Sequence, residues 1–386
     1  MAACPPYFAG GRWILSGIRR NFHWGRARLK WRVWNGRFSG LSGAGRVGSV
    51  GDMTRLFLSA LVLPLLPLFM MAWDYEGHRV LSQIGLTVLP TNFPAFVHAP
   101  MARERIAFLG GEPDRWRNTA DTALRHVNGP DHFLDLEDLA PLGLKPETLP
   151  PLRYDYVAEV ARHHAKASPE KKEDGAGAVG FLPWSITEWH ARLKSSFGSL
   201  KVYEELGTEE EVANARQNVL YAMGVLGHFV GDASQPLHTT RHFNGWVGAN
   251  PKSYTTSKKF HAWIDGGYMR KSGGLDSERM KKQLRAARAL PLDAVGRKEG
   301  RVFTESVRFL VEQWQQVEPL YRLEKEGKLA GDGAEGRAGR VLVEGQMVRG
   351  SQFLADLWLT AWMEAPPDNF LKARLVERKA GSKPAE

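Results

Sequence analysis

Residues 73–370 read as a single, mainly helical domain of the all-α class. Three observations predict this. Apolar residues recur three and four apart in six separate segments, the spacing of one helix face. Strictly alternating apolar and polar runs, the mark of a half-buried strand, are scarce. Clusters of Pro and Gly separate the periodic segments, and nothing repeats at solenoid periods.

In chain order, the first helix is expected over 73–89, where Val80, Leu81, Ile84 and Val88 share a face and Pro90 ends the run. A second is expected over 154–166. The third, 212–231, is strongly apolar, with Val219, Met223, Leu226, Phe229 and Val230. Segments 276–288, 302–323 and 341–364 keep the same spacing. Trp358 and Trp362, four apart in the last helix, are expected on its core-facing side. Loops are expected at 110–113, 128–130, 141–152, 171–180, 245–252 and 331–339, where Gly and Pro concentrate. Residues 371–386 are polar and basic and are expected to form a flexible tail.

The chain before Trp73 has a different character. Residues 1–52 hold nine bases against one acid, Asp52, together with Trp13, Trp24, Trp31 and Trp34 and no apolar periodicity. Such a segment is either a basic arm for nucleic acid or membrane, or a spurious or disordered extension ahead of a start at Met53. The residues after Met53 favour the extension. Arg55, an apolar run over 56–72 interrupted by Pro64 and Pro67, and a small residue at Ala72 make a signal peptide rather than a membrane span. The bulky Met70 at the minus-three position is the one departure from the cleavage pattern. An exported protein, periplasmic or secreted, beginning at Trp73 is therefore expected.

This division changes the electrostatics. The whole chain carries 52 bases and 42 acids, a formal +10. With nine bases and one acid in 1–52, and Arg55 in 53–72, residues 73–386 hold 42 bases and 41 acids. The basic pI is thus no argument for a nucleic-acid partner. The only cysteine, Cys4, lies in the extension, so the remainder has no disulfide and bound metal is a candidate stabiliser.

The chemistry-bearing residues gather in short motifs. His228 and Asp232 are four apart in an apolar helix and share a face, and His238 comes after Gln235-Pro236-Leu237. His261 and Asp265 repeat the spacing. His132 and Asp135 lie together, and Asp114 precedes Arg117 by three. One His–Asp pair is usually a structural hydrogen bond. Three such clusters in a thiol-free chain suit zinc, which takes imidazole and carboxylate where no thiolate is on offer. A free α-amine at Trp73 would add a further donor, since its pKa lies near neutrality.

These motifs carry a resemblance. Trp73-x4-His78, Asp114-x2-Arg117, His132-Phe133-x-Asp135, the string from Gly227-His228-Phe229-Val230-Gly231-Asp232 through Gln235-Pro236-Leu237-His238, and His261-x3-Asp265 resemble the trinuclear-zinc, single-strand-specific nucleases of fungi and plants. They resemble more loosely the zinc-dependent phospholipases C of bacteria in the same superfamily. The resemblance implies a mainly α fold and three Zn2+ ions. It places Asp114, His132, His228 and Asp232 on the first ion and His238, His261 and Asp265 on the second. Trp73, through amine and carbonyl, would hold the third with His78 and a bridging Asp232. It implies that Arg117 faces the scissile phosphate and that Phe133 stacks a base. Catalytic work would then fall to Asp114, Arg117 and Asp232.

The chain also departs from that pattern. The stretch from His132 to His228 is long, which implies an insertion within 139–205. The gap from Asp114 to His132 is long too, leaving Asp121 as an alternative to Asp114. The spacing of Trp73 and His78, and an Asp rather than a Glu at 265, resemble the nucleases more than the phospholipases. Three functions are expected, in this order: a monomeric endonuclease for single-stranded DNA or RNA, a phospholipase C or other phosphoesterase, and an exported zinc protein without catalysis. His126 and His242 flank motif positions without matching them.

Overall fold

The computed structural model describes residues 73–166, 179–291 and 300–381. The extension 1–52, the signal segment 53–72, most of the loop expected at 171–180, and residues 382–386 lie outside the described residues.

The protein is mainly helical, as the sequence predicts. Among the described residues, β structure is limited to isolated bridges, Leu134 with Gly180 and Phe243 with Gly245. The helices are α1 (Tyr75–Gly85), α2 (Pro100–Leu109), α3 (Glu112–Arg117), α4 (Thr122–Asn128), α5 (Arg153–Lys166), α6 (Leu182–Leu206) and α7 (Glu209–Ser234). After a long connection come α8 (Phe260–Ala262), a π-turn over Trp263–Gly267, α9 (Tyr268–Lys271) and α10 (Ser277–Lys281). The chain closes with α11 (Arg301–Trp314), α12 (Val317–Lys325), α13 (Arg340–Glu364) and α14 (Asn369–Gly381).

α7 is the central element. It starts at a reciprocal cap, in which Thr208 and Glu211 each accept from the other's backbone N–H, and Glu209, Glu210 and Glu211 sit where the helix dipole favours acids. It ends at Gln235-Pro236 because proline cannot continue the hydrogen-bond ladder. From Val219 to Ser234 it is buried on nearly every side by α1, α2, α6 and α13. Gly231 lets α1 approach closely: a Cβ there would come within 2.5 Å of the His78 ring. α13 packs on α1, α6 and α7, and the Trp358 indole donates to the Met223 carbonyl at 3.2 Å. Trp362 is half-buried against Phe93.

Several elements differ from expectation. The helix expected over 276–288 stops at Lys281, because the backbone beyond it is recruited by α13: Arg285, Arg288 and Leu290 N–H groups donate to Gln352, Asp356 and Thr360 side chains. The helix expected over 302–323 breaks at Gln315-Gln316 into α11 and α12. The 25-residue α6 occupies much of the stretch read as an insertion. The flexible tail expected from 371 is instead helical through Gly381, held by Lys372 to Glu205 (2.8 Å) and Arg378 to Glu211 (2.7 Å).

Candidate metal centre

Three segments converge on the C-terminal half of α7. α1 brings His78, α3 brings Asp114 and Arg117, the 3-10 turn Gly129–His132 brings His132, and α7 itself brings His228 and Asp232. The His and Asp side chains nearest α7 are all buried: His78, His132, His228 and Asp232 are 0% exposed. Charged residues are almost never that deep without compensation.

The distances form a tight set. His132 Nδ1, His228 Nε2 and Asp232 Oδ2 make a triangle with sides of 2.8, 3.0 and 3.2 Å. The other Asp232 oxygen, Oδ1, lies 3.5 Å from His78 Nε2, and the His78 ring stacks on His228 at 4.2 Å. Asp114, His132 and His228 likewise bring their donor atoms within 4.8 Å of one another. Arg117 pairs with Asp114 at 2.7 Å.

A second group lies beside the first. His238 Nε2 is 3.0 Å from His261 Nε2, which is 3.2 Å from Asp265 Oδ2. The two groups are joined through the backbone: Leu134 N–H donates to the His238 carbonyl at 3.0 Å. His261 and Asp265 are four apart and share one side of the helical chain, which there enters the π-turn, an irregularity found often at functional sites.

Backbone carbonyls set the tautomers. His228 Nδ1–H donates to the Gly110 carbonyl at 2.7 Å, and His238 Nδ1–H donates to the His132 carbonyl at 2.5 Å. The Nε2 atoms of both rings therefore point lone pairs inward, at a carboxylate oxygen and at other imidazoles. Lone pairs facing one another repel unless a proton or a metal ion lies between them. His78 has no hydrogen-bond partner on either ring nitrogen, and neither do His261 Nδ1, Asp232 Oδ1 or Asp265 Oδ2. Each such buried group costs about 1–3 kcal/mol when left unpaired. Ligand atoms set tetrahedrally at about 2.0 Å from zinc lie about 3.3 Å apart, close to the 2.8–3.2 Å sides of the triangle. On geometry and donor chemistry the residues around His228 and Asp232 fit a metal ion.

The electrostatics agree. Burial keeps His78, His132, His238 and His261 below the ordinary imidazole range, in the neutral form that ligates metal. Burial opposes the charge on His228 too, but the Asp232 and Asp114 carboxylates outweigh it and raise its pKa. Burial alone would raise Asp232, yet His228 and His238 hold it well below the carboxylate range. Burial pushes Asp265 well up. Positive charge is thus favoured beside Asp232 and Asp114.

The start of the described chain is built into this centre. The Trp73 side chain is 1% exposed, and its indole donates to Ser234 Oγ at 3.0 Å. Asp74 N–H donates to the Asp265 carbonyl at 3.1 Å, and the Asp74 carboxylate caps α1 and pairs with Arg270. Trp73 is therefore clamped between the end of α7 and Asp265. Phe133 is half-buried, with Gly180 packed close to its ring. Asp121 is exposed and caps α4 through the Leu124 N–H, so Asp114, not Asp121, joins the histidines. His126 is exposed, and His242 stacks on Trp246 at 3.9 Å.

Some contributors escape motif reading. Gln235 donates to Asp265 Oδ1 at 2.7 Å and orients it, a role hinted at only by its place in the string. The Gly110 and His132 carbonyls have no side-chain signal at all. Asp135, in the same motif as His132, is pushed up to about 7 by burial and by Glu137 beside it. No family model and no curated protein matches the chain.

Proposed function

We propose that this centre holds zinc and that the protein is a phosphodiesterase, an endonuclease acting on single-stranded DNA or RNA. The observation that carries the proposal is the inward-facing triangle of His132, His228 and Asp232. The Gly110 carbonyl fixes the His228 tautomer, so electron-rich atoms meet where a cation is needed. Asp114, His132, His228 and Asp232 would hold one ion, and His238, His261 and Asp265 another. Trp73, His78 and Asp232 would hold a third. Bound zinc would offset the charge of a phosphodiester and bring the pKa of water to about 7.

The side chains supply the rest. Arg117 projects its guanidinium beside Asp114, its side chain 15% exposed, where it can pair with a phosphate oxygen. Asp114 Oδ2 makes no hydrogen bond within the protein and is the atom suited to orient water or take its proton. A flexible single strand can offer a base to Phe133, whereas a duplex keeps its bases stacked. Spacing supports the nuclease over the phospholipase: Trp73 and His78 are five apart and the last acid is Asp265.

The test is to express the chain from Trp73 behind a cleavable leader and compare hydrolysis of single-stranded DNA, RNA and phosphatidylcholine. Cleavage of either nucleic acid supports the proposal. Cleavage of lipid alone would replace it with the phospholipase, and zinc binding without hydrolysis would leave a non-catalytic zinc protein.

A further inference from the structure

The segment after His238 forms a rigid loop beside the second imidazole group. Thr240 and Arg241 are tied to the Glu137 carboxylate, by the Thr240 hydroxyl at 2.7 Å and the Arg241 N–H at 3.1 Å. The His242 ring lies flat on Trp246, which meets Tyr321 edge-on at 5.2 Å, and the Tyr321 hydroxyl donates to the His242 carbonyl. Gly245 holds φ of +89°, and a Cβ there would come within 2.5 Å of the Thr256 backbone. The loop is thus fixed on both flanks.

Within it, Trp246 and Tyr254 turn into the aromatic stack on Tyr321, but Phe243 does not. Phe243 is 37% exposed, and its ring meets His261 at 6.0 Å in an edge contact. The neighbouring Asn244 accepts the His261 N–H at 3.5 Å. Exposed Lys258 and Lys259 come directly after the Thr256–Ser257 backbone that Gly245 touches. A partly exposed phenyl ring against a candidate ligand, with Lys258 and Lys259 in the same connection, matches the aromatic-plus-basic pattern that grips single strands.

We propose that Phe243 is a base-stacking platform that selects a nucleotide on the His238–His261–Asp265 side of the centre, in addition to the stacking expected at Phe133. This rests on the nuclease proposal and sharpens it, because a phospholipid headgroup offers no flat ring to stack. Phe243 is a specificity residue here, since it touches substrate without joining the chemistry.

The test compares wild-type protein with Phe243→Ala and Phe243→Trp on a single-stranded oligodeoxynucleotide and on an abasic oligomer of equal length, with zinc counted in each protein. Phe243→Ala should lower kcat/KM on the base-bearing oligomer about 10-fold, mainly through KM, and change the abasic oligomer less than about twofold. Phe243→Trp should retain activity on both, and zinc content should not change. An equal loss on both oligomers, no loss on either, or loss of zinc from Phe243→Ala would overturn the inference; loss of zinc would mean that the ring only shields His261. Wild-type protein that holds zinc yet cleaves neither oligomer nor a single-stranded RNA would instead remove the nuclease proposal, and this inference with it.

Discussion

Asp232 presents its two oxygens to different partners, Oδ2 to His132 and His228 and Oδ1 to His78. An amide at that position keeps the shape but removes the charge that both sides share. Asp232→Asn should therefore lose more than one zinc ion per chain and nearly all hydrolysis, read by elemental analysis beside a single-stranded DNA assay. Unchanged zinc content would contradict a bridging role. At this scale the sequence was informative for side chains: His228, Asp232, His238, His261 and Asp265 stand in recognisable spacings and meet in space. What it hid was backbone. The Gly110 and His132 carbonyls fix two tautomers, and their positions exist only once α2, α3 and α7 are packed.

The elements matter because His78 and Asp232 belong to different helices, and their separation depends on how closely α1 lies on α7. Gly231→Ala would drive a Cβ to within 2.5 Å of the His78 ring and force the helices apart. Overpacking of that kind costs about 1–3 kcal/mol. The variant should unfold at lower urea concentration and bind less zinc, whereas a variant with wild-type zinc and stability would show that α1 approaches α7 with room to spare. α1 was legible because its buried Leu81 and Ile84 keep helical spacing, and α7 and α13 because their apolar residues recur over far more positions than a strand spans. α6 was not: Leu182 to Ile186 are buried consecutively, so no single apolar stripe marks its start. The early end of α10 and the break between α11 and α12 were hidden for a related reason. Local spacing there continues, but side chains of α13 capture backbone N–H groups after Lys281, and the buried Gln313 and Gln346 side chains bond one another near the break.

Across the molecule, one buried histidine outside the centre should leave a signature in acid. Burial, with Lys194 and Arg301 nearby, lowers His190 to about 3. The unfolded chain takes up this proton near pH 6.5 and the folded chain does not until about pH 3, so stability falls as pH drops through that window. The contribution reaches a few kcal/mol, about 1.4 per pH unit. His190→Phe should flatten this part of a urea-denaturation profile taken from pH 7 to 4, and an unaltered slope would contradict the assignment. The all-α class could be read from periodicity, but the charge of the centre could not be read from net charge: residues 73–386 are nearly balanced, and the polarity that matters is buried around Asp232.

Zinc counting by elemental analysis on protein that begins at Trp73, paired with thermal unfolding before and after chelation, tests the central claim most directly. Three ions per chain are predicted, and their removal should lower Tm by on the order of 10 °C. Protein purified without metal that is fully folded, with a Tm indifferent to chelator and to added zinc, would contradict it.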